Sequence, residues 1–292
     1  MTGDSRLGYH GPVSTPLTFA AAQVLKLLPR ERISRAVGKI AERRWSPGVG
    51  ARVVDAYCRS YGIDLGDYAQ QSGWSSFDAF FTRSLKEGAR TLARGEDLII
   101  SPSDGRVDTM EEVTKDAIFQ VKGRPYRVAE LLGSEDEARR YEGGVGCVIY
   151  LSPRDYHRVH APVTGTITRV RSLPGDFYPV NSIGIRHVKN LFAVNRRVAF
   201  DIEAAKPGLG KVSLVMVAAI VVGRITATGF SEPDVPVGDH SCNIPIERGE
   251  ELGVFHLGST VVMFLEKAAF RGWLADKGPI TLGSALAQGS LP

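Results

Sequence analysis

The sequence predicts an α+β protein in which N-terminal amphipathic helices precede a mainly antiparallel, β-rich core. Apolar residues recur at helical spacing in the first part of the chain, whereas short β-prone runs separated by Gly, Pro and Asp follow residue 97. With 292 residues, 43% hydrophobic and 23% charged, the chain can bury a sizeable core, which argues against extensive disorder and a polytopic membrane protein. We therefore expect a helical region over 1–95 and a β-rich domain over 96–292.

The first two predicted helices differ in character. The segment 17–28 begins with a Thr-Pro start signal and is apolar, but its twelve residues fall short of the ~20 that cross a bilayer. The segment 30–45 carries apolar residues on one face and basic residues on the other. Such a helix either packs its apolar stripe on the protein's own core or lies among lipid headgroups. Both interpretations remain open from the sequence.

Positive charge is concentrated at the N-terminus. The chain carries a net charge of +4, but residues 1–50 hold eight Lys or Arg against three acidic residues, so this region carries +5 and the remainder −1. A polyanion is the expected partner, and nucleic acid and an anionic membrane face are the two usual candidates. No nucleic-acid-binding motif accompanies the basic residues, which favours the membrane.

The remaining predicted elements are two helices and seven strands. One helix covers 53–61, and the other begins at Ser76, whose side chain can cap it. The strands are short apolar runs bounded by turn-forming residues. They cover 98–100, 118–121, 147–151, 166–170, 198–202, 212–225 and 260–265.

Two of the six histidines, His157 and His160, lie in the segment YLSPRDYHRVHAP at 150–162. Their H-x-x-H spacing can ligate a metal, but neither HExxH nor a companion Cys/His cluster is present, and the three cysteines are far apart. We therefore expect no metal. Neighbouring arginine and aspartate residues favour an acid/base site, with a structural role for the histidines as the alternative.

Two further segments can carry chemistry. Asp104 and Gly105 follow the predicted strand 98–100 and, taken alone, indicate a turn. The segment ELGVFHLGST at 251–260 leads into an apolar, strand-like run. The triplet LGS occurs three times in the chain, but only the copy that ends at Ser259 is followed by threonine and a predicted strand.

In combination these segments resemble the phosphatidylserine decarboxylases. The resemblance rests on DGRV (104–107), YLSPRDYHRVHAP (150–162), KNLFAVNRRV (189–198), VVGRI (221–225) and ELGVFHLGST (251–260), with FFTRSLKEGAR (80–90) ahead of them. It spans about residues 75–265. It implies an enzyme that cleaves itself between Gly258 and Ser259 into a large chain, 1–258, and a small chain, 259–292.

The implied self-cleavage produces a covalent pyruvoyl group from Ser259. The serine Oγ can attack the preceding carbonyl, and Gly258, which lacks Cβ, permits the required backbone geometry. An ester forms, β-elimination leaves dehydroalanine, and hydrolysis gives the pyruvoyl group. Because serine needs a base and the base an orienting partner, the resemblance assigns His160 as base and Asp104 as its partner.

The resemblance also implies the reaction and its setting. The pyruvoyl carbonyl forms a Schiff base with phosphatidylserine and accepts electrons as CO2 leaves, which yields phosphatidylethanolamine. His157 is the candidate proton donor, and Tyr150 the candidate for positioning the headgroup; ordinary packing roles are their alternatives. The implied protein is a homodimer, peripheral at the cytoplasmic face of a bacterial membrane.

Two other functions stay open at this stage. One is a pyruvoyl-dependent decarboxylase of a soluble amino acid, which shares the self-cleavage but has no use for a basic amphipathic N-terminus. The other is a non-catalytic, membrane-binding homologue. The residue His256, two positions before the scissile glycine, has no assigned role.

Overall fold

The N-terminal helices lie beside a largely antiparallel β core. The structure, a computed structural model, describes residues 30–180, 182–219, 224–257 and 259–290. Its elements confirm the predicted α+β class. The predicted helix over 17–28 lies outside the described residues. None of the helices in the described ranges has both the length and the apolarity needed to cross a membrane.

Three helices form the N-terminal layer. Helix α1 covers Arg30–Glu42, α2 covers Pro47–Tyr61 and α3 covers Phe77–Phe81. Helix α2 begins earlier than the predicted 53–61, because Pro47 supplies a favourable first-turn residue. The cap predicted at Ser76 is confirmed, since its Oγ accepts a hydrogen bond from the N–H of Ala79 at 3.1 Å.

The apolar stripe of α1 is only partly covered by the protein. Ala41 is buried and Val37 is half-buried, whereas Ile40 is 67% exposed. Helix α2 likewise leaves Val49 50% exposed. Packing on the protein's own core therefore accounts for one part of this stripe, and the other part remains apolar surface.

The described residues contain sixteen strands. Their bounds are β1 Leu98–Ile100, β2 Gly105–Glu112, β3 Ile118–Val121, β4 Arg124–Arg127, β5 Val145–Leu151, β6 Arg158–His160, β7 Gly165–Leu173, β8 Arg197–Ala204, β9 Lys211–Ala218, β10 Arg224–Ala227, β11 Gly238–Ile246, β12 Glu251–His256, β13 Ser259–Leu265, β14 Phe270–Trp273, β15 Gly278–Ile280 and β16 Ala285–Gly289. Four short helices join them: α4 Val128–Leu132, α5 Glu135–Arg140, α6 Ser182–His187 and α7 Leu191–Val194.

One large sheet contains eight of these strands in the order β11-β7-β8-β9-β13-β5-β2-β15, and each neighbouring pair is antiparallel. The smaller sheets have the orders β10-β12-β6, β1-β16-β14 and β3-β4. Strand β13 is central in the large sheet, and all seven of its residues are buried. The chain therefore passes from the small sheet of β12 to the centre of the large sheet within two residues.

The prediction of one strand over 212–225 is wrong. Strand β9 ends at Ala218 in the large sheet, and β10 begins at Arg224 in the small sheet. A side-chain amide of Asn195 donates to the Ala218 carbonyl at 2.8 Å, where the ladder ends. The apolar run continues from β9 to Ile225, so it gives no sign of a change of sheet.

Candidate active site

Ser259 is the first residue of β13 and pairs with Leu151 on β5 and with Ala218 on β9. It is 1% exposed, and its Oγ has no hydrogen-bond partner within the part of the chain that the structure describes. A buried hydroxyl without a partner is costly, and a catalytic role is one explanation for it. The predicted scissile partner, Gly258, lies outside the described residues.

The backbone ahead of Ser259 is strained. Leu257 has a φ of 83°, in the left-handed region that favours glycine, and its side chain is buried. Such a conformation costs about 1–3 kcal/mol and persists only where the surroundings enforce it. Hydrogen-bond ladders on both sides hold β13, the strand that follows. The strained residue, Leu257, immediately precedes Gly258 of the predicted scissile bond.

Glycine is also required beside Asp104. Gly105 begins β2 with a φ of 152°, and a Cβ at this position would lie 2.6 Å from the carbonyl oxygen of Tyr150. The pair Asp104 and Gly105 therefore does more than form a turn: it brings β2 into close contact with β5.

His157 is fully buried immediately before β6. Its ring packs on Phe81 with centroids 4.1 Å apart, and Nδ1 donates to the Asp155 carbonyl at 2.8 Å. Burial lowers the pKa of His157 to about 3. The imidazole is therefore neutral near pH 7, with a lone pair on Nε2 that has no partner among the described residues.

His160 lies on β6, and both of its ring nitrogens are engaged. Nδ1 donates to the Gly249 carbonyl at 2.8 Å, which leaves Nε2 to accept a hydrogen bond from the Tyr156 hydroxyl at 3.0 Å. Burial lowers the pKa of His160, opposed in part by the hydrogen bond to the Gly249 carbonyl, by the charge of Glu251 and, less strongly, by that of Asp104. This histidine is also a neutral base, but Tyr156 occupies its lone pair.

Asp104 lies near His160, because the His160 N–H donates to the Pro102 carbonyl at 2.8 Å. Its carboxylate, however, accepts hydrogen bonds from Arg90 at 3.0 and 2.7 Å and from the N–H of Leu282 at 2.8 Å. The hydrogen bonds from Arg90 to the Asp104 carboxylate raise the pKa of the Arg90 guanidinium. The structure thus brings Asp104 and His160 into one region without a hydrogen bond between their side chains within the described residues, and the Gly249 carbonyl orients the ring.

The strand register places His157 nearer than His160 to the strained segment. The N–H of Phe255 donates to the His157 carbonyl at 3.0 Å, near the end of β12 that leads to Ser259. His160 pairs instead with Glu251, at the opposite end of that strand. The predicted assignment of His160 as the base for Ser259 stays a prediction.

Tyr150 lies opposite Thr260 in the ladder between β5 and β13, one position from Ser259. Directly paired residues share a face of a sheet, whereas neighbours along a strand point to opposite faces. The Tyr150 side chain therefore shares a face with Thr260 rather than with Ser259. Its predicted role in headgroup positioning is untested.

Sequence reasoning missed residues that hold the site in place. Arg83 is buried 4.3 Å over the Tyr68 ring and donates to the carbonyls of Arg154 and Asp155 at 2.9 and 3.5 Å, so it fixes the loop that carries His157. Arg90 and Tyr156 were missed in the same way. All three lie in the segments 80–90 and 150–162, but arginine and tyrosine in a motif do not indicate which atoms they contact.

An apolar cavity of about 600 Å³ borders the strained segment. Side chains of α1, α2 and α3 form most of its wall, and Pro153 and Leu257 complete it on the core side. The Tyr57 hydroxyl donates to the Pro153 carbonyl at 3.3 Å, which links α2 to the loop before His157. The partly exposed stripe of α1 reaches this cavity through Val37 and Ile40.

Within the described ranges, no group of three or more His, Cys, Asp or Glu side chains is arranged to hold a metal ion. Ser259 and the two histidines carry the candidate chemistry. The site combines a buried hydroxyl, two neutral imidazoles and a strained backbone, which suits a reaction of the chain on itself.

Comparison with known proteins gives the family that the motifs resemble. A sequence model of the family described as phosphatidylserine decarboxylase matches residues 77–288. The chain belongs to the phosphatidylserine decarboxylase family.

Several proteins named phosphatidylserine decarboxylase proenzyme are similar to this family member. The one from Anaeromyxobacter sp. (strain K) is 39% identical, over 85% of this chain and 89% of its own length. The protein from Acinetobacter baumannii is 38% identical over 85% and 87%, and that from Marinobacter nauticus is 37% identical over 89% and 94%. The family match begins at Phe77, so it includes α3 and the β core, while α1 and α2 precede it.

Proposed function

We propose that this chain is a phosphatidylserine decarboxylase proenzyme, which cleaves itself between Gly258 and Ser259 and releases CO2 from phosphatidylserine to give phosphatidylethanolamine. The observation that carries the proposal is the buried Oγ of Ser259, which has no partner among the described residues and lies two positions after the strained Leu257. The names of the relatives support it.

Self-cleavage uses only groups of the chain and water. The Ser259 Oγ loses its proton to a base and bonds to the Gly258 carbonyl carbon. The bond from that carbon to the Ser259 nitrogen breaks, and the nitrogen takes up a proton, which leaves an ester. Removal of the Ser259 α-proton then expels the Gly258 carboxylate from Cβ, and hydrolysis of the dehydroalanine releases ammonia and leaves a pyruvoyl group.

In this proposal His160 is the base for Ser259. The Gly249 carbonyl fixes its tautomer, and the charge of Asp104 favours the protonated ring that forms. The Tyr156 hydroxyl must leave Nε2 before that nitrogen can take the proton. Asp104 acts here by charge and position, while Arg90 and the Leu282 N–H hold its carboxylate.

The proposed role of His157 is to move a proton during decarboxylation. Its Nδ1 donates to the Asp155 carbonyl, and its Nε2 has no partner among the described residues. The ring must therefore accept a proton at Nε2 before it can donate one. An unpartnered base beside the end of β12 fits a pyruvoyl group derived from Ser259. That group supplies a carbonyl that condenses with the substrate amine and withdraws electrons as CO2 leaves.

Two features favour a lipid substrate over a soluble amino acid. The apolar cavity beside Leu257 offers about 600 Å³ for the glycerol backbone and the first part of the acyl chains, which a free amino acid does not need. The exposed Ile40 and Val49 lie on helices that also carry basic residues, as expected of a surface that meets anionic headgroups. Residues 1–95 are thus proposed as the membrane-associating region.

The proposed location is peripheral, at the cytoplasmic face of a bacterial membrane. The homodimer remains a prediction from the family resemblance. Each protomer of the proposed enzyme consists of a large chain, 1–258, and a small chain, 259–292.

Release of CO2 distinguishes the three candidate functions. Purified protein is incubated with vesicles containing phosphatidylserine and, separately, with free serine. We expect CO2 and phosphatidylethanolamine from the vesicles only. Release from free serine alone would support the amino-acid decarboxylase, and vesicle binding without CO2 would support the non-catalytic homologue.

A further inference from the structure

His256, the last residue of β12, belongs to a cluster of charged side chains beside the strained segment. Its Nδ1 lies 2.8 and 3.1 Å from the two carboxylate oxygens of Asp78 on α3. Because a carboxylate only accepts, Nδ1 carries the proton, and Arg224 donates to Asp78 at 3.0 Å. Nε2 lies 3.3 Å from the Thr226 hydroxyl. The imidazole is therefore held on both of its nitrogens.

The cluster is partly buried and joins four elements. The side chains of Asp78 and His256 are each 13% exposed, and that of Arg224 is 23% exposed. Arg224 on β10 also pairs with Glu42 at the end of α1, at 2.6 Å. Burial opposes ionisation of Asp78, but His256 and Arg224 hold its pKa below the ordinary value. Helices α1 and α3 are thus tied to the end of β12.

His256 and Ser259 flank the segment in which Leu257 adopts its left-handed backbone conformation. The Ser259 end is fixed, since β13 pairs with β5 and β9. At the other end the Phe255 N–H bonds to the His157 carbonyl at 3.0 Å, and β12 pairs with β10 as far as Arg224 opposite His256. The side-chain bonds of His256 to Asp78 and Thr226 add to these backbone bonds at the residue before Leu257.

We propose that His256, through Asp78 and Arg224, is a positioning residue for self-cleavage: it holds the end of β12 and thereby the backbone of Leu257, which leads to the scissile bond. The inference rests on the proposed self-cleavage. Acyl shift depends on the approach of two atoms, and small misplacements of reacting atoms slow such steps strongly. His256 acts on this approach through the backbone of Leu257.

The test follows the cleavage of newly made protein. Wild type, His256→Leu, His256→Asn and Glu42→Gln are synthesised without cells, and the appearance of the small chain is timed by mass spectrometry. His256→Leu removes both ring bonds, whereas His256→Asn keeps a donor near the Nδ1 position. We expect cleavage about tenfold slower in His256→Leu and within about threefold of wild type in His256→Asn.

The control Glu42→Gln acts at the outer end of the cluster, where its side chain is 43% exposed, and should slow cleavage less than about twofold. Two further readouts separate positioning from general stability. The melting temperature, measured in the uncleaved Ser259→Ala background, and the CO2 released per pyruvoyl group in the cut protein should match the wild-type values for each variant.

Equal cleavage rates in wild type and His256→Leu would overturn the inference and leave the proposed function intact. A parallel fall in cleavage rate, melting temperature and turnover per pyruvoyl group would also overturn it. If His256→Leu fails to fold, Asp78→Asn takes its place: slow cleavage in a folded Asp78→Asn variant supports the inference, and wild-type cleavage contradicts it. Absence of cleavage in wild type would instead refute the proposed function.

Discussion

The strand that carries Ser259 and the N-terminal helices differ in how far their apolar residues are buried. All seven residues of β13 are buried, and ladders on both sides fix it. Helices α1 and α2 leave Ile40 67% and Val49 50% exposed and line part of an apolar cavity. The difference separates a water-excluded centre that can react with itself from a surface whose apolar residues remain open to a partner.

The largest expected effect is on the rate of decarboxylation. Replacing His157 with alanine removes the unpartnered Nε2 beside the end of β12 and should reduce CO2 release per pyruvoyl group by about 10²–10⁴-fold, the usual contribution of a positioned acid/base. Self-cleavage should continue, because His160 is assigned to that step. The assay measures CO2 from phosphatidylserine vesicles after titration of the pyruvoyl group. Wild-type turnover in His157→Ala would contradict this division of roles.

The second effect is expected on vesicle binding, through changes confined to the N-terminal surface. Burying an isoleucine or valine contributes about 1.5–3 kcal/mol, so Ile40→Glu combined with Val49→Glu should weaken binding to anionic vesicles more than tenfold. Self-cleavage should be unchanged. Vesicle co-sedimentation measures the binding, and raising the salt concentration should weaken it further in wild type. Strong binding by the double variant would place the membrane contact elsewhere.

A third prediction concerns pH and the burial of His157. In the unfolded chain a histidine binds a proton near pH 6.5, whereas burial lowers the pKa of His157 to about 3. Between these values the unfolded state holds more protons, so the free energy of unfolding falls as the pH is lowered, by at most about 1.4 kcal/mol per pH unit.

Denaturant unfolding of the uncleaved Ser259→Ala protein between pH 7 and pH 4 measures this effect. His157→Phe in the same background should show a shallower decline, because the other titrating groups are common to both proteins. An equal slope in the two proteins would show that His157 is not held neutral by burial.

The smallest predicted effect lies where the two regions meet. Tyr57→Phe removes the hydrogen bond from α2 to the Pro153 carbonyl and should lower the stability of the uncleaved protein by about 0.5–1.5 kcal/mol. Thermal unfolding measures the change. The matched control is Tyr61→Phe, since Tyr61 is 43% exposed and should have little effect. Equal effects of the two substitutions would show that this hydrogen bond does not stabilise the junction.

The sequence predicts those elements whose signal is local. The strands over 98–100 and 118–121 have the predicted bounds, and the Ser76 cap forms because its hydroxyl contacts its own helix. Strands such as β6, which is three residues long, and β11, whose outward face is polar, were missed because they lack a continuous apolar run. The change of sheet within 212–225 depends on distant strands and leaves no local pattern.

The candidate site shows the same limit. Motif resemblance predicts Ser259, Asp104 and His160 as site residues, but it does not predict their contacts. The bonds of Asp104 to Arg90 and of His160 to Tyr156 and Gly249 join side chains and carbonyls that only the assembled sheets bring together. The partners of His256 come from α3 and β10, remote in sequence from one another. Such contacts follow from packing and register rather than from residue type.

The central claim is that the chain cuts itself at Ser259, and intact-mass spectrometry of the purified protein tests it most directly. Wild type should give a large chain ending at Gly258 and a 34-residue small chain, 259–292, whose N-terminus carries a pyruvoyl group in place of serine. Ser259→Ala should give one uncut chain. A single uncut chain in wild type, or the same two fragments in Ser259→Ala, would contradict the account.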